Sequence, residues 1–293
     1  MTTGADGDRA LLLGPPVPVG HATQLTDARD YLAAEVAGIP VIVLRQEDHT
    51  LKAFLNVCRH RGVRVVNDCA GNRRSFTCPY HGWTYGTDGA LRGIPYRQAF
   101  PSVVREERGL VELPVTERYG LIWVQLAPAR PVDLRDHLGT PLDDELTALG
   151  LSSFVVERSR SFVEKLSWSA VLEQTVAGYV AQHGAPAVES FGDHRRFGLV
   201  RDEYRTVGAP PPSDYAPMRY RHLVYRLAPN AVLAWHGTHA ELWTASPAAP
   251  DFDCTALYAY LLAHRGRAAD TPFWDRIWTD ALHIRAGARA RAI

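Results

Sequence analysis

Four side chains stand out for the chemistry they could share. Cys58-Arg59-His60 is followed by Cys78-Pro79-Tyr80-His81, giving the pattern C-x-H-x17-C-x2-H. Two thiolates and two imidazoles on short paired loops can meet around one metal centre. One such centre is a structural zinc held by two Cys and two His. Zinc fingers, however, keep like ligands together, with C-x2-4-C ahead of H-x3-5-H. Here each loop supplies one of each kind. That order suits a two-iron cluster in which one iron takes both thiolates and the other both imidazoles.

The elements that must position these loops read as short strands. PVIVLR (40–45), the turn-like QEDHT and LKAFLNV together predict a hairpin. Asp88-Gly89 predicts a turn between Trp83-Thr84-Tyr85 and Leu91-Arg92. YGLIWVQL (119–126) has the β-branched and aromatic content of a buried strand. Hairpin tips can hold two ligand loops face to face. Residues 1–16 read as a tail, and 128–150, rich in Pro, Asp and Leu, as a linker with a short helix.

In the second half, Ser161 to Leu166 predicts a strand and Ser167 to Gln182 a helix. The helix has Trp168, Val171, Leu172, Thr175, Val176 and Tyr179 along one face. Residues 197–262 are strand-like, with loops at GAPPPSD and ASPAAPDFD, and the stretch from Thr271 onward reads as helical.

Composition narrows the function classes. A chain of 293 residues suggests two domains. Lys plus Arg and Asp plus Glu both number 32, so the net charge is zero. That balance argues against a nucleic-acid binder and against a polybasic membrane-surface protein. Four cysteines are too few for a disulfide scaffold. Without an apolar run long enough to span a bilayer or form a secretory signal, the expected location is the cytoplasm, where Cys and His near one another read as a metal site.

CRHRG (58–62) and CPYHGWTY (78–85), followed by DGALRGIP (88–95), resemble the Rieske [2Fe–2S] domain of ring-hydroxylating and related non-heme iron oxygenases. The resemblance implies that Cys58 and Cys78 bind one iron and His60 and His81 the other. It implies an α+β chain with an all-β Rieske domain at 17–127. Residues 151–293 would then be a shortened catalytic-type domain, a helix plus antiparallel sheet of the helix-grip, START-like kind. Respiratory Rieske proteins carry an extra cysteine beside each ligand loop. Val63 and Trp83 stand there instead, so Cys69 and Cys254 read as free thiols and the cluster as the lower-potential oxygenase sort. Arg59, Arg61 and Arg64 could dock an acidic ferredoxin, or could be solvated or ion-paired within the fold.

SWSAVLEQTVAGYV (167–180) and AQHGAPAVESF (181–191) resemble the catalytic-domain helix N-W-K-x-x-x-E-N-x-x-(D/E)-x-Y-H-x4-H-P. Trp168, Glu173, Tyr179 and Pro186 fall in frame. In the family the two histidines and a later carboxylate form the 2-His-1-carboxylate triad of a mononuclear Fe(II). Here the histidine positions are Val180 and Ala185, the preceding acidic position is Ala177, and Asp280 is the remnant of a third ligand. The expectation is that mononuclear Fe(II) is absent from this chain.

The family resemblance implies trimers in which one subunit's cluster feeds the neighbouring subunit's iron. The expected function is therefore the Rieske component of an oxygenase system. It would carry electrons from a ferredoxin or flavin reductase to a partner subunit with an intact triad, in a hetero-oligomer. Two other readings are a stand-alone oxidoreductase with a relocated metal site and a non-catalytic ligand-binding or redox-sensing protein. Relocation would draw on His183 and His194 with a carboxylate such as Glu189 or Asp193, and His236 and His239 also lie in this half. His21, His49, His137, His222, His264 and His283 have no partner pattern. Trp235, Trp243, Phe252 and Tyr258 could border a cavity for a small hydrophobic substrate, although aromatics at strand spacing more often fill a core.

Overall fold

The computed structural model describes residues 12–128, 130–183, 187–200, 220–248 and 254–264. The expected helix from Thr271, with Asp280 and His283, lies outside them, as do Ala185, Pro186, Phe252 and the 208–214 loop.

The first half is built from three small antiparallel sheets. The first joins β1 (Pro16–His21), β11 (Leu121–Gln125) and β10 (Val115–Arg118). The second orders β5 (Ala70–Asn72), β2 (Asp30–Val36), β3 (Ile39–Arg45), β4 (Leu51–Leu55) and β9 (Glu112–Leu113). The third is β6 (Ser75–Thr77), β7 (Thr84–Gly86) and β8 (Leu91–Gly93). Local chemistry sets the hairpins. Ala37 and Gly38 both have positive φ, 54° and 72°, the two-residue turn whose twist matches the flanking strands. The expected 40–45 hairpin forms as β3 against β4, and Asp88-Gly89 turns β7 into β8.

The second half is one seven-stranded antiparallel sheet. Its order is β12 (Phe154–Glu164), β18 (Thr255–His264), β17 (His239–Pro247), β16 (Ala231–Trp235), β15 (Tyr220–Leu227), β14 (His194–Val200) and β13 (Ala187–Phe191). Two further helices, α1 (Leu134–Leu138) and α2 (Thr140–Ala148), precede this sheet, and α3 (Trp168–His183) crosses it. The α3 stripe of Trp168, Val171, Leu172, Thr175, Val176 and Tyr179 is buried throughout.

Strand alternation assigns the two faces. Val224, Val232, Ala234, Trp243 and Ala245 join the core shared with α3 and with the strands of the first half. Their neighbours Leu223, Tyr225, Leu233 and Leu242 turn to the other face, onto Leu134, Leu138, Leu142 and Leu146. The stretch expected to be a linker with a short helix therefore carries two helices whose leucines cover one face of the sheet. No described helix is long and apolar enough to cross a membrane.

Candidate metal centres

Cys58 lies just past β4, and Cys78 opens the β6–β7 hairpin loop. The two loops close in the same way. The Cys58 amide donates to the Val63 carbonyl (2.8 Å) and the Gly62 amide to the Cys58 carbonyl (2.9 Å). In the second loop the Cys78 amide donates to Trp83 (2.8 Å) and the Gly82 amide to Cys78 (3.0 Å). Gly62 and Gly82 take φ of 75° and 70°, which a side chain would strain. Asn56 clamps the first loop: its side-chain amide donates to Val66 O (2.8 Å), and its oxygen accepts from the Val65 and Val66 amides.

The four residues come together with a polarity. Cys58 and Cys78 are buried in the core of Tyr31, Phe54, Phe76 and Trp83. The imidazoles lie outward, His60 half-buried and His81 exposed, with ring centroids 4.6 Å apart. Trp83 stacks on His60 at 4.8 Å, and Tyr80 flanks His81 at 3.8 Å. Burial pushes the Cys58 thiol up, and the adjacent Cys78 thiol adds to this, against hydrogen bonds from Tyr85 and the His60 amide. Two buried polar atoms here have no partner, His60 Nδ1 and Trp83 Nε1. Apposed buried thiols with an orphaned imidazole nitrogen beside them fit a metal–sulfur group: a cation would stabilise both thiolates and take the nitrogen's lone pair.

Tyr85, to which the sequence assigned no role, reaches the same centre. Its hydroxyl accepts from the Arg59 amide (3.0 Å) and lies 3.3 Å from Cys58 Sγ. Burial raises its pKa, so the phenol stays protonated and can donate to the sulfur. Twenty-seven residues separate the pair, so no local signal marks it. Arg59 and Arg61 are exposed, while Arg64 pairs with Glu35.

In the second half, Val180 packs against the core and Ala177 is exposed. Among the described residues, His194 does not gather a metal site with a carboxylate. Its ring contacts the His137 carbonyl (3.0 Å) and the Ala228 amide (3.0 Å) and meets the His137 ring edge-on. Burial lowers both histidines, His137 to about 4, so both are neutral. The His183 side chain lies outside the described residues. A cavity of about 790 Å³ opens beside α3, bordered by His137, Trp168, Glu173, Arg195 and Arg226. Trp243 is instead a fully buried core residue, and Trp235 packs on the α1–α2 side. Among the described residues one cluster does form: His236, His239 and Glu241 place donor atoms within 4.8 Å of one another. His222, to which the sequence reading gave no role, lies against His236.

Comparison with known proteins identifies the first domain. A family model for the Rieske [2Fe–2S] domain matches residues 15–107. The biphenyl 2,3-dioxygenase alpha subunit of Rhodococcus jostii (strain RHA1) is 35% identical over 160 residues, 53% of this chain and 35% of that protein. A benzene 1,2-dioxygenase alpha subunit of Pseudomonas putida is 34% identical over the same shares. The match thus spans about a third of these relatives' own length. Among solved structures, a quaternary ammonium Rieske monooxygenase in complex with gamma-butyrobetaine superposes with a TM-score of 0.77 at 17% identity, covering 97% of this chain and 80% of that one. Naphthalene 1,2-dioxygenase with indole bound gives 0.70 at 21%, covering 98% and 77%. Residues 15–107 are a Rieske [2Fe–2S] domain, in a chain homologous to the alpha subunits of ring-hydroxylating dioxygenases and folded like the Rieske oxygenases.

Proposed function

We propose that the chain is the electron-carrying Rieske component of a non-heme iron oxygenase system, passing electrons to the mononuclear iron of a related partner subunit. The observation that carries this reading is the contrast between its two halves. The first half brings two buried thiols and two outward imidazoles together. The positions that would hold iron are Val180, on α3, and Ala185, and neither side chain has a lone pair to offer.

Cys58 and Cys78 would hold the inner iron, and His60 and His81 the outer one. The [2Fe–2S] group supplies a site that accepts and releases one electron. Trp83 and Phe100 wall His60 off, whereas His81 and the 56%-exposed Tyr80 stand at the surface. Electron exchange is therefore directed through the His81 edge, where Arg59 and Arg61 offer positive charge to an acidic ferredoxin. The chain's place is with the cytoplasmic redox machinery, in a hetero-oligomer based on a trimer.

Tyr85→Phe is expected to lower the midpoint potential. A donor to the Cys58 sulfur is worth most in the reduced, more negative state. Charge-assisted hydrogen bonds contribute about 1.5–3 kcal/mol, and about 59 mV is a tenfold change for a one-electron couple. With part of that energy common to both states, a fall of about 50 mV is expected in a redox titration. An unchanged potential would remove Tyr85 from the account.

The assignment is tested by reconstitution. Supplied with ferredoxin, reductase and reductant, the chain alone should accept electrons and form no oxygenated product. Product should appear when a triad-bearing alpha subunit is co-expressed. Reductase-dependent product from the chain alone would overturn the partner assignment.

A further inference from the structure

The β16–β17 hairpin carries a cluster that electron transfer does not use. Trp235 pairs with Ala240, and the chain reverses through residues 236–239. The His236 amide donates to the His239 carbonyl (3.0 Å), with Gly237 at φ 79°. His239 and Glu241 are two apart on β17 and so share a face. The turn folds His236 back over them, its ring stacked on His239 at 4.5 Å.

The donor atoms converge. His236 Nε2 is 3.3 Å from Glu241 Oε2, and His239 Nε2 is 3.6 Å from Glu241 Oε1. A divalent ion bonded at about 2.0–2.2 Å in a tetrahedral array sets neighbouring donors roughly 3.4 Å apart. Both distances are near that value, one to each oxygen of Glu241. The three side chains are also nearly excluded from solvent, at 8%, 11% and 4% exposure.

Each donor is oriented from behind. His236 Nδ1 lies 2.8 Å from His222 Nδ1, and His239 Nδ1 lies 3.1 Å from Thr238 Oγ1. Glu241 accepts from the buried Tyr179 hydroxyl, which in turn accepts from Trp243 Nε1 at 3.0 Å. Outer partners of this kind fix the rings and carboxylate of metal sites, and Nε2 of each histidine is turned toward Glu241. Tyr179 comes from α3, next to Val180, so this set faces the helix from the sheet.

We propose that His236, His239 and Glu241 bind one divalent first-row transition-metal ion, iron(II) or zinc(II). Two imidazoles and one carboxylate suit either ion and leave coordination positions open. The site goes beyond the electron-carrying role, since a relay through His81 does not need it.

The test uses the chain purified with its cluster, treated with EDTA, then equilibrated anaerobically with Fe(II) or with Zn(II). Metal and acid-labile sulfide are counted per chain. The expected result is one ion beyond the cluster iron. His239→Ala should lose that ion. Glu241→Gln, which keeps the side chain's shape, should weaken binding by more than ~100-fold, since losing only an outer partner costs about 10–100-fold. Both variants should keep the sulfide content and visible spectrum. Nitric oxide separates the two metals: an Fe(II)-loaded site gives a mononuclear iron–nitrosyl EPR signal that the Zn(II)-loaded site lacks. No extra ion at saturating Fe(II) and Zn(II), or an ion held equally by Glu241→Gln, overturns the proposal. A chain that binds the ion but lacks labile sulfide would leave this site standing and overturn the electron-carrier reading.

Discussion

Cys78→Ser is expected to purify without the visible absorption and labile sulfide expected of the wild-type chain. Serine at neutral pH offers a protonated hydroxyl in place of a thiolate, so the inner iron loses one of two anionic ligands. The loss extends to stability. Cys58 and Cys78 are core residues packed with Phe76, Trp83 and Tyr85, and both loops close on their cysteine backbones. Metal binding at such loops contributes folding free energy directly. The expected accompaniment is a clear drop in the thermal midpoint and faster proteolysis within 58–83. Cys69→Ser is the control: Cys69 is exposed, and its replacement should change neither spectrum nor midpoint. A Cys78→Ser chain with wild-type absorption would remove Cys78 from the ligand set.

Arg196→Met is expected to destabilise the second half by about 3–5 kcal/mol, the cost of stripping a buried charge of its partner. Arg196 on β14 reaches Glu145 on α2 at 2.5 Å, both side chains being nearly inaccessible. Tyr225 donates to the other Glu145 oxygen at 2.8 Å, and Arg196 also pairs with Glu189. Without the guanidinium, the Glu145 carboxylate is held beneath α2 with no countercharge. The double change Arg196→Met with Glu145→Leu should recover most of the loss, because apolar side chains of similar volume often replace a buried pair at little cost. Urea unfolding of the wild type and both variants measures this. If the double variant is as unstable as the single one, packing rather than charge explains the effect.

The ligand loops were legible because their chemistry is local. Cys and His at fixed offsets, with Gly62 and Gly82 at the turns, need no knowledge of the sheet. The buried face of α3 was legible for the same reason, as Trp168 to Tyr179 recur at helical spacing. The role of residues 128–150 was not. Leu134, Leu138, Leu142 and Leu146 are spaced four apart, but Pro131, Gly139 and Pro141 interrupt the segment and give it the composition of a linker. Their burial depends on a sheet that forms later in the chain. Contacts set by strand register were equally hidden. Tyr85 meets Cys58, and Tyr179 meets Glu241 across sixty-two residues. The His236-Gly237-Thr238-His239-Ala240-Glu241 run carries a readable pattern, a tight turn followed by alternate strand positions. His222 joins it only through the β15–β16 pairing.

The central claim is that Cys58, His60, Cys78 and His81 hold a two-iron cluster that carries electrons. The most direct measurement is acid-labile sulfide together with EPR of the dithionite-reduced chain. The account predicts two sulfides per chain, as a [2Fe–2S] group requires, and a rhombic signal that appears on reduction and disappears on reoxidation. A chain holding zinc, with no sulfide and no signal on reduction, would contradict it.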